Sequence, residues 1–343
     1  QVAALTTSQV QFLTSTQLNV FESQDLQALT STQVRNLTTD QVTNLSADQF
    51  ALLTTRQVSV LTTDQIGVLG DSALAALTTT QAQVLTTAQI RALSTTQLNA
   101  LETEDLQALT SGQISGLSSD QLNALDTSYL QVLTTSQVRG IQVGQLSGLS
   151  TSQVQALTSS QVEALSATQI KALSSDQLNA LESEDLQALT SDQLRILSTA
   201  QVSALTTTQI QNLASAQVPS LSATQVKALS SDQLNAMESE DWQALTSTQI
   251  QALTLTQVPT LSTTQIQALS TSQITSLTAN QIKALTTEQF NALEVDDMGA
   301  LTSTQLRALT TEQLASLSTS AANYLTTTQI SQLSATQQRA LPA

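Results

Sequence analysis

The chain has 343 residues, a formal net charge of -16 at pH 7, 2% aromatic residues, and neither cysteine nor histidine. This balance excludes a disulfide framework, thiolate or imidazole metal sites and triad catalysis, and it leaves no basic patch to displace counterions from nucleic-acid phosphates. An apolar fraction of 40% against 10% charged is the reverse of a disordered chain, while so few aromatic side chains cannot fill the two or three separate cores usual at this length.

The opening residues Gln1-Val2-Ala3-Ala4 already stand in phase with the rest of the chain. They contain no initiator Met and no signal peptide, so the sequence reads as a processed protein or a piece of a longer one. From there Leu5, Leu13, Leu29, Leu37, Leu45 and Leu53 are spaced by multiples of eight, and the ladder continues without an insertion to Leu333 and Leu341. Phe21, Ile141 and Met237 stand on rungs where Leu is missing. Between Leu5 and Ala340 lie 42 complete octads with no linker, so residues 1–343 read as one continuous array without separate domains. Zero slippage implies that each unit touches the next in fixed register.

Counting from the Leu, Leu205-Thr206-Thr207-Thr208-Gln209-Ile210-Gln211-Asn212 is a typical octad. One long α-helix fails as a template, because eight residues overshoot two turns by about 80° and the Leu ladder would wind round the helix. A strand fails because positions 1 and 6 would face opposite ways. A short capped helix accounts for every position. Thr206 at position 2 and Gln209 at position 5 form a Ser/Thr-x-x-Gln capping box, and Leu205 and Ile210 flank it as a hydrophobic staple. Asp40, Asp48, Asp120, Asp176 and Glu288 at position 4 fall in the first turn, where the helix dipole favours negative charge. Burying one Leu, one Val or Ile and one Ala does not offset the entropy of ordering eight residues, so a lone octad cannot fold and successive octads must stack. The predicted fold is all-α: a solenoid or superhelical rod of short capped helices, one per repeat.

Along the chain some octads depart from the pattern. Leu181-Glu182-Ser183-Glu184-Asp185-Leu186 replaces the cap hydroxyl by Glu and the Gln by Asp, with relatives starting at Phe21, Leu101, Met237 and Leu293 and a weaker one at Leu125. From Leu125 they recur every 56 residues, the irregular octad at Leu69 is in phase, and 165–220 aligns with 221–276. Seven octads then make one wide turn or two turns of 28 residues, unless the period records only the duplication of a 56-residue block. Lys171, Lys227 and Lys283 precede acidic octads and Arg195 and Arg307 follow them, which suggests that these cations neutralise carboxylates of a neighbouring turn. Gly112, Gly116, Gly140, Gly144 and Gly148 suggest a bend or a looser region, or simple drift. Pro219 and Pro259, both at position 7, suggest that the helix is already ending there.

Glu182, Glu184 and Asp185, and equally Glu238, Glu240 and Asp241, offer hard oxygen ligands of the kind calcium takes. They lack the Asp-x-Asp-x-Asp-Gly loop and the glycine-rich nonapeptide of calcium repeats. Charge at a helix start is the simpler reading, and no cofactor is expected. Ser and Thr occupy cap positions, and no poised acid, base or nucleophile stands out, so no enzyme is expected. No apolar run approaches the roughly 18 residues of a membrane span.

The run Leu-Thr-Thr-x-Gln-Ile-x-Ala-Leu resembles the octad arrays of very large secreted bacterial exoproteins labelled as adhesins or haem-utilisation/adhesion proteins. The resemblance covers the whole chain and implies an extracellular or cell-surface bacterial protein acting as a structural fibre, tube or stalk. It supplies no functional residues, and no His or Cys is present to hold haem. Partners would be further copies, joined head to tail or laterally, or flanking repeats. Two alternatives stay open: a Thr/Ser surface presented to ice or polysaccharide, and a calcium-rigidified spacer.

Overall fold

Helix begins at the same place in almost every repeat because its start is chemically marked. The computed structural model describes residues 1–342. Among them, forty α-helices of four to six residues and two 3-10 segments share out the octads from Leu5 onward, and a further 3-10 turn spans Val2–Ala4. Position 2 is the extended N-cap. In the octad Leu205–Asn212, Thr206 sits at φ -69, ψ 156, its Oγ1 accepts from Gln209 N–H at 3.1 Å, and Gln209 Oε1 accepts from Thr206 N–H at 3.1 Å. This is the reciprocal capping box expected from the sequence, with the helix running from position 3. The chain returns to the extended region at the next cap, so no helix outlives its octad.

The helices are too short to stand alone, and packing between turns holds them. The chain forms two compact units, Gln1–Ala180 and Leu181–Ala343, while the octad phase passes residue 181 unchanged in sequence. In the first unit Gln41 Nε2 donates to the carbonyls of Val10 (2.8 Å) and Leu13 (2.6 Å), 31 and 28 residues earlier. Gln89 reaches Val58 and Leu61 in the same way, both at 2.9 Å. The second unit repeats the geometry, with Gln249 bonded to Val218 (2.8 Å) and Leu221 (2.7 Å) and Gln305 to Ile274 (2.8 Å) and Leu277 (2.9 Å). Position 7 side chains reach the other way, 25 residues on: Asn99 Nδ2 donates to Ala124 O at 2.8 Å and Asn291 Nδ2 to Ser316 O at 3.1 Å. Offsets of 25, 28 and 31 residues centre on a coil of about 28, or three and a half octads per turn. Each unit is therefore an all-α solenoid. Two turns match the 56-residue period, so within the second unit the acidic octads at Leu181, Met237 and Leu293 fall on the same side of the coil.

Positions 1 and 6 form the core. Leu205 is 4% exposed and Ile210 2%, and the few large side chains at position 6, Phe50, Trp242 and Phe290, are fully enclosed. Position 8 packs closely on position 3 of the turn before. A Cβ on Gly140 would lie 2.7 Å from Ser111 O, and one on Gly116 would lie 3.0 Å from Thr87 Cβ. These two glycines mark close approach, whereas Gly144 stands in open space, and none of the described glycines has positive φ. Pro219 and Pro259 act differently from the sequence expectation. In most octads position 7 lies inside the α-helix. Proline there has no N–H to return to position 3, and the helix tightens into the 3-10 segments Val218–Ser220 and Val258–Thr260.

Candidate functional site

The chemistry of each octad is concentrated at position 5. Gln209 shows the whole device: Oε1 takes the cap N–H of Thr206, and Nε2 gives to Leu181 O at 3.2 Å in the turn before. One amide thus closes its own helix start and ties two turns together, while Leu205 and Ile210 bury the apolar surface on either side. Position 2 hydroxyls such as Thr206 Oγ1 are turned onto their own helix ends, and the exposed hydroxyls of Thr207 and Thr208 stand outside. The octad pattern reveals the cap half of this device and not the cross-turn half. A signal for the second half is nevertheless present, because a capping box accepts Glu as readily as Gln and yet Glu never occupies position 5 from Gln9 to Gln337. Glu would keep the acceptor and lose the NH2; the carboxylate that does occur at position 5 is Asp, confined to the acidic octads as Asp25, Asp105, Asp185, Asp241 and Asp297.

In the acidic octads the six calcium candidates divide. Glu182, Glu184, Glu238 and Glu240 are exposed, whereas Asp185 and Asp241 are buried at position 5. Among the described residues no three acidic side chains are placed to hold a metal ion, so neither trio converges into a cage. Asp241 keeps the acceptor half of the Gln, with Oδ2 taking Glu238 N–H at 3.0 Å. Burial raises its pKa, opposed by the Ser215 hydroxyl and the Glu238 N–H and reinforced by the charges of Glu238 and Glu240. Asp105, equally 2% exposed, has a buried Oδ2 without a hydrogen-bond partner. Burial first, then the charges of Glu102 and Glu104, push its pKa to about 6.

Three arginines at position 7 take up backbone carbonyls. Arg91 Nε donates to Gly116 O at 3.2 Å, Arg139 Nε to Ala164 O at 2.9 Å and Arg35 Nε to Val60 O at 3.4 Å, all 25 residues ahead. Arg195, read from sequence as a partner for a neighbouring turn, lies 3.8 Å from Asp192 of its own octad, with both side chains exposed. Arg35, Arg91 and Arg139 thus each meet a helix C-terminus above them, where carbonyls and the dipole end both attract the cation. Beside this row an open groove of about 650 Å³ is lined by Thr87, Arg91, Gly112, Gly116 and Gln142. Among the described residues no helix is long and apolar enough to cross a membrane.

The repeat itself is a known one. The sequence model of the ALTTAQ repeat matches residues 18–55, 98–135, 178–215, 234–271, 263–295, 290–327 and 298–335, well over half of the chain. No curated protein matches it. With the period, the capped helices and these seven matches in agreement, the chain belongs to the ALTTAQ repeat family.

Proposed function

We propose that this repeat protein is a structural array serving as an extracellular fibre, tube or adhesin stalk, which assembles with further copies of itself or with flanking repeats. The observation that carries this reading is the position 5 amide, which ties turn to turn at the same 28- and 31-residue offsets in both units. Such a device transmits register along an array of any length, as quasi-one-dimensional repeat proteins require. The polar groups that are most regular in sequence are spent on holding the coil, which suits a spacer and leaves no poised nucleophile, acid or base. On this reading the protein has no catalytic role and needs no cofactor.

Electron microscopy of the purified, undenatured protein tests the proposal. Uniform elongated particles that lengthen with concentration are expected. Compact particles of one size at every concentration would reject assembly and leave the stalk to be argued from flanking segments. Antibody labelling of intact source cells tests the location: label that appears only after permeabilisation would rule out an extracellular fibre.

A further inference from the structure

The junction beneath Asp105 lacks the donor that glutamine supplies at most junctions, and it places a buried carboxyl there instead. At Gln41, Gln89, Gln249 and Gln305 an NH2 group meets the carbonyls of positions 6 and 1 in the turn before. Even the odd octad at Leu125 keeps a donor to the turn before, since Tyr129 Oη donates to the position 7 carbonyl of Asn99 at 2.9 Å. By the same register residue 105 stands over the carbonyls of Leu74 and Leu77. Leu74 O already accepts from Leu77 N–H at 3.1 Å, so the position left to be served is Leu77 O. An ionised carboxylate has no proton to give and sets its own negative oxygens against those carbonyls. A carboxylic acid, by contrast, has an O–H to offer, on a side chain one methylene shorter than glutamine's.

We propose that Asp105 is a proton-gated tie between turns: uncharged, it donates to the carbonyl of the turn before, and ionised, it leaves that junction open. The groups facing it agree with this. Its own helix, Thr103–Ala108, is flanked and begun by Glu102 and Glu104, both of which discourage ionisation. The packed helix Thr79–Val84 carries no ionisable side chain, and Thr127–Val132 carries only Tyr129, with Asp126 at its cap. The helix Asp71–Ala75, which holds Leu74, adds only the exposed Asp71 at its start. No cation faces Asp105 from these elements. Burial supplies the larger part of the effect and places the midpoint at about 6, within the range between acidic and neutral surroundings.

Because the folded-state value is raised, the group contributes stability that is complete below the unfolded value of 3.8 and is lost as pH rises through about 6. Local opening around 71–77 and 103–108 should therefore increase as the medium turns neutral. Asp241 occupies the same position, but the Ser215 hydroxyl already serves it, so its junction should respond less.

Hydrogen exchange on the full chain, corrected for intrinsic rates, reads this out. Between pH 4.5 and 7.5 the wild-type protection of peptides covering 71–77 and 103–108 should fall about tenfold or more. Asp105→Gln should remove that fall, and the shorter amide of Asp105→Asn should reduce it. Asp120→Asn, which removes an exposed charge at position 4, controls for the general easing of self-repulsion in acid and should behave as wild type. Carbon-13 NMR of the Asp105 carboxyl, on the unmutated protein, should titrate near pH 6. A midpoint near 4, or an equal loss of protection in wild type and Asp105→Gln, would overturn the proposal.

Discussion

Asp25 and Asp105 have the same place in the octad, the same Leu-Gln-Ala following them and a Glu three residues before. Asp105 is buried, with an unpartnered oxygen and a pKa pushed to about 6, whereas Asp25 is exposed. Their octads differ at positions 1, 3 and 4, and Glu104, where the first octad has Gln24, adds a charge that raises the pKa of Asp105, but burial comes first. The burial follows from the turn beneath: by register Asp105 stands over Leu74 and Leu77, whereas the helix of Asp25 has only the short turn Val2–Ala4 beneath it, and positions 28 and 31 residues before Asp25 fall ahead of residue 1. Gln17 and Gln89 repeat the contrast. Gln17 is exposed and bonds only to Thr14, while Gln89 is buried and bonds both to Thr86 and to Val58 and Leu61. A residue's chemistry here is assigned twice, once by its own octad and once by the neighbour 28 residues away.

The largest expected effect comes from putting a full-length carboxylate into that second environment. Gln89→Glu keeps the cap acceptor and removes the donor, and at pH 7 it should cost about 3 kcal/mol in urea unfolding, with much of the loss recovered near pH 4. Gln17→Glu, which keeps its capping box and faces water, should be neutral within about 0.5 kcal/mol. Equal losses at the two sites would mean that the cross-turn bonds contribute nothing.

Truncation is milder than charge. Gln89→Ala leaves Leu61 O and the Thr86 N–H without their partner and takes one of the two bonds to Val58 O, for about 2 kcal/mol, against about 0.5–1 for Gln17→Ala, which loses only a cap. A chemical-denaturation series on both variants separates the local share from the tertiary one.

Asp105→Gln runs the comparison in reverse. By restoring the donor it should raise stability at pH 7 by about 1–2 kcal/mol, and this gain should shrink towards pH 4, where the native acid is protonated. The pH dependence of the melting temperature checks both. Asp25→Gln should change neither quantity beyond the removal of one exposed charge.

The smallest contrast is expected at the caps. Thr14→Ala and Thr86→Ala each remove one hydroxyl from the N–H three residues on, and each should cost about 1 kcal/mol. Because that bond lies inside a single octad, the presence of a neighbouring turn should not alter it. A cost at Thr86 more than twice that at Thr14, by thermal unfolding, would show that the cap is coupled to the stacking as well.

Everything that acts over three or four residues is legible in the order of amino acids: the eight-residue period, the cap at Thr206, the box closed by Gln209, and the apolar rungs at Leu205 and Ile210. These follow from backbone donors that must be satisfied at a helix start and from the spacing that puts two apolar residues on one side of it. The number of residues in a turn is not among them, since one wide turn and two narrow ones fit the 56-residue period equally. Packing selects two, because the radius of the coil depends on how Leu, Val and Ile side chains from different octads fill a common interior. The same step separates Asp241 from Glu238 and Glu240, sends Arg91 and Arg139 to carbonyls rather than carboxylates, and gives the glutamine amide its second set of bonds. The arginine and glutamine bonds depend on partners 25 to 31 residues away, whose position no local pattern encodes.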